Sequence, residues 1–245
     1  MIISAKIAYL KAFNEEQTAD FAYDGDAGAS KLTLLVGPNN SGKSSLINIL
    51  DGVLHPRDNA FTASKEHRHG DNAPQVTVKF GQQEIALAEG TGSKYKVTGL
   101  SSEVSSKVKF VPSRRPWAET FSDPLDDQSY ASSYRHNRRA NSSWFDSLFA
   151  GALGKLSTEL ERKEEFNRLL SRIDPDIQDW RPENYAGQDF IEYKAKNGLW
   201  HRIGDVGDGV GSLLRICFEL LHLRCGETLL VDEPELSLHP QVQRR

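Results

Sequence analysis

The sequence predicts an α/β fold: a mixed central sheet, an antiparallel β lobe towards the N-terminus and a helical insertion. Three observations carry that expectation. An apolar run at 32–36 feeds a glycine-rich turn, Gly37-Pro38-Asn39-Asn40-Ser41-Gly42-Lys43-Ser44, and then a helical run at 45–50. Short segments of strand character recur at 75–80, 84–88, 94–97 and 107–111. A second apolar run, Thr228–Val231, ends in Asp232-Glu233-Pro234.

Each element follows from local pattern. Ile3, Ala5, Ile7 and Tyr9 alternate, so a first strand is expected within residues 1–13. Residues 14–30 are polar, carry Gly25 and Gly28, and read as containing a turn. The run at 32–36 is expected to be a buried strand. The helix after the glycine-rich turn should stop near His55-Pro56, and 58–73 reads as a loop. Gln75–Phe80 alternates cleanly, and glycine and serine turns separate the strands that follow. Together these predict an antiparallel β region beside the glycine-rich turn.

Composition changes after Pro112. Ser, Asp, Arg and aromatic residues dominate up to about Asn141, an irregular surface segment. Helical spacing then returns, with Trp144, Leu148, Phe149 and Ala152 on one face. A second helix gathers Leu156, Leu160, Phe166, Leu169, Leu170 and Ile173, with Glu159–Lys163 and Glu164–Arg168 as i,i+4 pairs on its wet side. Asp174-Pro175 ends it. Asn197-Gly198 between apolar segments predicts a hairpin. From Leu213 to Leu223 lies an apolar helix that Gly226 ends. The expected organisation is one domain over 1–245: residues 1–112 hold the glycine-rich turn and β lobe, 113–203 the insertion, and 204–245 the last helix, strand and acidic turn.

Composition narrows the function classes. Of the 245 residues, 38% are hydrophobic and 26% charged, which suits a globular chain with one substantial core. The net charge of −4 gives no bulk pull towards nucleic acid, so any such binding needs a local patch. No apolar run reaches the eighteen or more residues of a membrane span, so no membrane partner is expected. Cys217 and Cys225 are expected on one helix roughly 12 Å apart, too far for a disulfide. Two free thiols and an N-terminus without a basic-then-apolar layout point to the cytoplasm.

The glycine-rich turn fits G-x-x-x-x-G-K-S, the phosphate-binding P-loop, in its strand–turn–helix setting. The fold class is therefore that of a P-loop NTPase. Gly37 and Gly42 let the backbone curl so that successive N–H groups, over Gly37, Pro38, Asn39, Asn40, Ser41, Gly42, Lys43, Ser44 and Ser45, surround phosphate oxygens. The helix N-terminus adds its positive dipole end. Lys43 would neutralise β- and γ-phosphate charge, and the Ser44 hydroxyl would ligate Mg2+. ATP with Mg2+ is the expected ligand. The plain alternative, a glycine turn before a helix with a chance lysine, leaves the flanking elements unexplained.

The run Thr228–Val231 delivers Asp232 and Glu233 as a Walker B strand would. Asp232 is expected to hold the metal and Glu233 to act as general base on water. The alternative reading is an acidic turn after a core strand.

Residues 232–240, Asp-Glu-Pro-Glu-Leu-Ser-Leu-His-Pro, resemble the Walker B and D-loop of ABC-type ATPase heads. The Leu-His-Pro ending looks most like the OLD family and related AAA-annotated, SMC/RecF-like ATPases. The resemblance covers about 1–55 and 204–245. It implies an ABC-ATPase-head-like fold, ATP hydrolysis and head-to-head dimerisation, with two nucleotides held between subunits. It implies a signature segment too, and Gly207-Asp208-Gly209-Val210-Gly211-Ser212 stands in that place. Gly209, Gly211 and Ser212 would then face a nucleotide bound by the second head. Asp208 departs from the serine many relatives carry and reads equally as the N-cap of the following helix. His239, in the D-loop, is expected at a dimer contact or in a water network, with a helix start before Pro240 as the alternative. By resemblance alone the output is DNA-linked: nuclease control, repair or defence against phage. ABC-type heads continue well beyond the point that corresponds to Arg245, and OLD proteins add a Toprim nuclease domain, so the chain is expected to be part of a longer protein or to work with a partner chain.

Other candidates are weaker. Arg114, Arg115, Arg135, Arg138 and Arg139, interleaved with Trp117, Tyr130 and Tyr134, would make a DNA patch, opposed by Glu119, Asp123, Asp126 and Asp127. His67 and His69 with Glu66 and Asp71 read as a metal cluster or, better, a polar loop. Tyr9 or Phe13 would stack on adenine or fill the core. Three rival functions stand beside the hydrolysing head. One is an ABC transporter ATPase subunit, another a non-hydrolysing nucleotide switch that scaffolds a partner, and the third a regulatory nucleic-acid-binding module that the Arg114–Arg139 segment would have to support.

Overall fold

The computed structural model describes residues 1–22, 32–56, 59–70, 72–111, 143–185, 188–203, 208–235, 238 and 240–243. These form two compact units. One comprises Met1–Phe110 with Arg224–Asp232, and the other Val111–Leu223 with Glu233–Arg245.

The first unit is built on a six-stranded sheet. Its strands are β1 (Ile2–Ala8), β2 (Gln17–Asp20), β3 (Ala60–Thr62), β4 (Gln75–Phe80), β5 (Gln83–Thr91) and β6 (Lys94–Thr98), in the order β2-β1-β4-β5-β6-β3. Every pairing in it is antiparallel. The β1–β4 register shifts between Ile2 and Ser4. Such an irregularity moves the alternation by one residue. Ile2, Ala5 and Ile7 are therefore buried, whereas strict alternation would have placed Ile3 with Ala5 and Ile7. Tyr9 lies past the strand, in a left-handed conformation with φ 56°.

Helix α1 (Lys43–Leu54) packs on this unit. Leu46, Ile49, Leu50, Val53 and Leu54 fall at i, i+3, i+4, i+7 and i+8, and all are buried. Each such side chain contributes roughly 1.5–3 kcal/mol of transfer free energy. α1 touches β3, β5 and β11 (Thr228–Val231). A short helix, α2 (Ser102–Ser106), is capped by the Ser101 hydroxyl, which accepts from the Val104 N–H at 3.3 Å. It leads into β7 (Val108–Val111), which pairs with β11 in a separate two-stranded sheet. The 107–111 segment thus leaves the antiparallel lobe and joins the acidic-turn strand. β11 is half-buried rather than buried.

The second unit holds α3 (Ser143–Thr158), α4 (Leu160–Ile173), α5 (Asp208–Leu221), α6 (Pro240–Gln243) and a sheet ordered β10-β9-β8. Its strands are β8 (Ile177–Tyr185), β9 (Gln188–Ala195) and β10 (Trp200–Arg202). β9 and β10 form the expected hairpin, closed by Ala195 N–H to Leu199 O at 3.0 Å. β8 was not expected, because Pro182 interrupts its pattern. It is an edge strand, where a missing N–H is tolerated. Phe166 meets Trp180 edge-on at 5.3 Å, and the buried indole N–H donates to Asn167 Oδ1 at 2.8 Å.

Several expectations are corrected. Residues 32–36 form no strand, and Leu32, Leu34 and Val36 are 67%, 72% and 90% exposed. Strand propensity needs a neighbouring strand to satisfy it, and this segment is tied to β2's end by the Thr33 hydroxyl accepting from the Ala22 N–H at 2.8 Å. The polar stretches 14–30 and 58–73 contain β2 and β3. Leu156 belongs to α3, and Leu160 is exposed at the start of α4. Glu159 pairs with Arg162 at 3.1 Å, and Lys163 with Asp179 at 3.5 Å. Cys217 is buried in α5, while Cys225 lies beyond it and is exposed; both are free thiols.

Candidate functional site

The turn before α1 has the geometry of an anion cradle. Gly42 precedes the helix at φ 92°, and Asn40 also adopts positive φ, 65°. A Cβ at Gly42 would lie 3.0 Å from Ala12 Cβ, and one at Gly37 would lie 2.8 Å from Ser41 Oγ. The Gly42 position therefore favours glycine on backbone grounds, whereas a Cβ at Gly37 would need the Ser41 hydroxyl to rotate away. The loop closes through the Ser41 N–H on Pro38 O at 3.3 Å, and Gly42 O accepts the first helical bond, from the Leu46 N–H at 2.8 Å. Residues 37–41 are exposed. Lys43, Ser44 and Ser45 occupy the first turn of α1, where backbone N–H groups have no helical acceptor.

Lys43 folds back over the loop. Its ammonium donates to Gly37 O and Pro38 O, each at 2.8 Å. The charge therefore sits beside the cradle, where a phosphate oxygen would be a stronger partner than a neutral carbonyl. Gly37, Pro38, Ser41, Gly42 and Lys43 line a cleft of about 440 Å³ together with, among others, Phe13, Thr18, Leu35 and Leu46. Phe13 reaches to 3.7 Å of a Cβ placed on Gly42.

The metal candidates meet. Ser44 Oγ donates to Asp232 Oδ1 at 2.9 Å. Asp232 is 5% exposed, directly after β11, and Ser44 is half-buried. Hydroxyl and carboxylate oxygens are the donors a hard cation such as Mg2+ takes, with phosphate oxygens and water completing its shell. The Ser44 hydroxyl has a rotatable hydrogen, so its lone pair turns to a cation without backbone change. The residues present therefore fit Mg2+ with a nucleotide phosphate.

Glu233 follows at once, exposed, with φ 47°. Positive φ is uncommon for a residue with a Cβ, and Pro234 restricts its backbone further. Gly209 lies in the first turn of α5, but Gly211 and Ser212 are buried, Ser212 at 2% exposed. The Ser212 side chain is thus covered in this conformation. Helix α5 begins at Asp208, so Asp208 is its first residue rather than a residue before it. Gly207, His239 and the arginines 114, 115, 135, 138 and 139 lie outside the described residues.

The histidines of the 65–69 turn have structural partners. His67 Nδ1 meets Ser64 Oγ at 3.0 Å, and His69 Nε2 donates to Lys11 O at 2.7 Å. Among the described residues no group of His, Cys, Asp and Glu could hold a metal as a cluster of three. Sequence reasoning passed over Asn48, whose side-chain amide donates to Ser44 O at 2.5 Å, and the buried pair Asp51–His55. An acid and a histidine four apart near a helix end was the available signal.

A glycine-formed loop at a helix N-terminus, a lysine across it and a serine–aspartate oxygen pair define the P-loop ATPase class of domain. Residues 32–245 match the family described as "AAA domain, putative AbiEii toxin, Type IV TA system", and the chain belongs to that family. No curated protein matches it. Among solved structures it is similar to the SmcHead bound to the C-winged helix domain of ScpA, at 12% identity and a TM-score of 0.51, covering 98% of this chain and 83% of that one. It is also similar to the SMC head domain from Thermotoga maritima, at 15% identity and a TM-score of 0.46, covering 98% and 80%. The fold resembles that of SMC head domains. Among the described residues no helix is long and apolar enough to cross a membrane.

Proposed function

We propose that this chain binds ATP with Mg2+ and hydrolyses it, as one head of a pair. The observation that carries the reading is the Ser44–Asp232 contact at 2.9 Å, which joins the P-loop helix to the strand of the acidic turn. Backbone N–H groups from Gly37 to Ser45 would hold the phosphates, with Lys43 moving from its carbonyls to phosphate oxygens. Ser44 and Asp232 would hold the metal, which when bound offsets charge on the β- and γ-phosphates. Glu233, exposed and next to Asp232, would take the proton of the attacking water.

A second head would complete each site through the start of α5, where Gly209 and Gly211 lie in the first turn of a helix, a setting that favours anions. Ser212 would join only if α5 shifts. His239 would sit at the contact between heads. Closure on ATP and release after hydrolysis would make the pair a switch. The output we propose is DNA-linked, as in nuclease control, repair or phage defence, exerted through a further domain or a partner protein in the cytoplasm. The OLD-like Leu-His-Pro ending supports the nuclease-linked version.

Calorimetric titration of ATP with Mg2+ tests the reading at its base. Wild type binds, and Lys43→Ala binds at least 10-fold more weakly, since a charge-assisted contact contributes about 1.5–3 kcal/mol. Equal affinities would remove the P-loop assignment.

A further inference from the structure

Helix α1 is tied at both ends to the same pair of strands. At its start Ser44 Oγ donates to Asp232 Oδ1, one residue past β11, at 2.9 Å. At its end His55, the residue capping α1, turns its ring into the core, where its side chain is 1% exposed. Nε2 faces Ser105 O at 3.0 Å and Val108 O at 3.1 Å. Both are carbonyls that only accept, so Nε2 carries the hydrogen. Val108 opens β7, the partner of β11. Asp51 Oδ1, one turn back on α1, holds Nδ1 at 2.9 Å, which fixes the ring plane. The Ser105 hydroxyl adds a bond to Leu54 O, one of the last carbonyls of the helix, at 2.8 Å.

A closed mechanical loop results. It runs from Ser44 along α1 to His55, across to Val108, through the β7–β11 pairing and back to Asp232. His55 lies eleven positions after Ser44, roughly 16 Å of helical rise. A rigid helix passes any axial slip at one end to the other, and an oxygen pair for a small hard cation tolerates little slip, because Mg2+ demands short, near-octahedral contacts. A buried histidine whose two ring nitrogens both face oxygen partners is costly to maintain for packing alone, where a leucine would fill the space.

We propose that His55, oriented by Asp51, is a positioning residue for the metal site: it sets the axial place of α1 against β7 and β11, and with it the Ser44–Asp232 spacing. The inference rests on the reading that Ser44 and Asp232 hold Mg2+, and it adds a remote residue that touches neither metal nor nucleotide.

The test uses the whole chain, with ATP at a fixed saturating level and Mg2+ varied. Two readouts are taken: phosphate release, and the ATP-dependent rise in Tm, which reports binding without turnover. Wild type, His55→Ala, His55→Gln and Leu54→Ala are compared. Leu54 is buried beside His55 but bonds to Ser105 only through its backbone, so its variant reports a simple packing loss. His55→Ala is expected to raise the half-saturating Mg2+ concentration at least 5-fold in both readouts, while the KM for ATP at saturating Mg2+ changes less than 2-fold. His55→Gln, which keeps an N–H for the two carbonyls, restores most of the difference and carries the test if the alanine variant does not fold. Leu54→Ala lowers Tm but leaves the Mg2+ dependence in place. If His55 and Leu54 variants shift Mg2+ dependence alike, or neither shifts it, the positioning role is overturned. Ser44→Ala and Asp232→Asn run alongside; Mg2+ dependence unaltered in those two would overturn the metal assignment itself.

Discussion

Ser44 and Asp232 stand 188 residues apart in the chain, and their side-chain oxygens meet at 2.9 Å. The contact ties the first turn of α1 to the end of β11 and brings the oxygens of two separate motifs together. Everything proposed for this chain depends on it.

Glu233 leads to the first prediction. The substitution Glu233→Gln preserves shape but removes the proposed base. ATP binding is expected to stay within 3-fold of wild type, while turnover falls by about 10²-fold or more. With hydrolysis blocked, an ATP-bound pair of heads should accumulate. Light scattering with ATP and Mg2+ is expected to give twice the monomer mass for this variant. A monomer mass at every ATP concentration would contradict head pairing, and undiminished turnover would contradict the base assignment.

Gly42 is the conformational key of the cradle. Its φ of 92° and the 3.0 Å approach to Ala12 leave no comfortable place for a Cβ. Gly42→Ala is expected to cost about 1–2 kcal/mol of backbone strain, or roughly 2–8 °C in Tm. ATP affinity should fall with it, because the loop N–H groups lose their aim. Thermal melts and calorimetry check both; a variant with unchanged Tm and affinity would show that the loop relaxes freely.

Cys217 and Cys225 should part in reactivity. Burial pushes the Cys217 thiol from its ordinary 9.0 up to about 12, whereas Cys225 is exposed. A thiol whose value is raised on folding favours the folded state while it stays protonated. That contribution is whole below pH 9 and is lost as pH climbs from 9 towards 12. Iodoacetamide at pH 8 is expected to label Cys225 alone in the native protein and both thiols in urea, read by mass spectrometry. Fast native labelling of Cys217 would contradict its burial.

How far the sequence could be read depended on the range of the interactions. The cradle was legible because eight consecutive residues build it, and the glycine positions follow from backbone geometry within that stretch. The place of Asp232 at a strand end was legible because an apolar run ending in acids is also a local pattern. The hairpin at Asn197-Gly198 was legible for the same reason. Residues 32–36 misled, since their apolar character says nothing of whether a neighbouring strand is there to pair with. β8 was hidden by Pro182, which only its edge position makes acceptable. The Ile2–Ser4 irregularity was invisible because the alternation of Ile3, Ala5 and Ile7 looked complete. The role of His55 escaped because two of its partners, Ser105 O and Val108 O, are backbone atoms 50 and 53 residues away. Backbone acceptors leave no mark in a sequence.

The central claim, that Ser44 and Asp232 form the metal site of an ATP-hydrolysing head, is met most directly by one measurement. Phosphate release from ATP is followed for wild type and Asp232→Asn across a range of Mg2+ concentrations. The account predicts Mg2+-dependent turnover by the wild type, and for the variant a rate at least 10-fold lower with a higher Mg2+ requirement. A variant that matches the wild type at every Mg2+ concentration would contradict it.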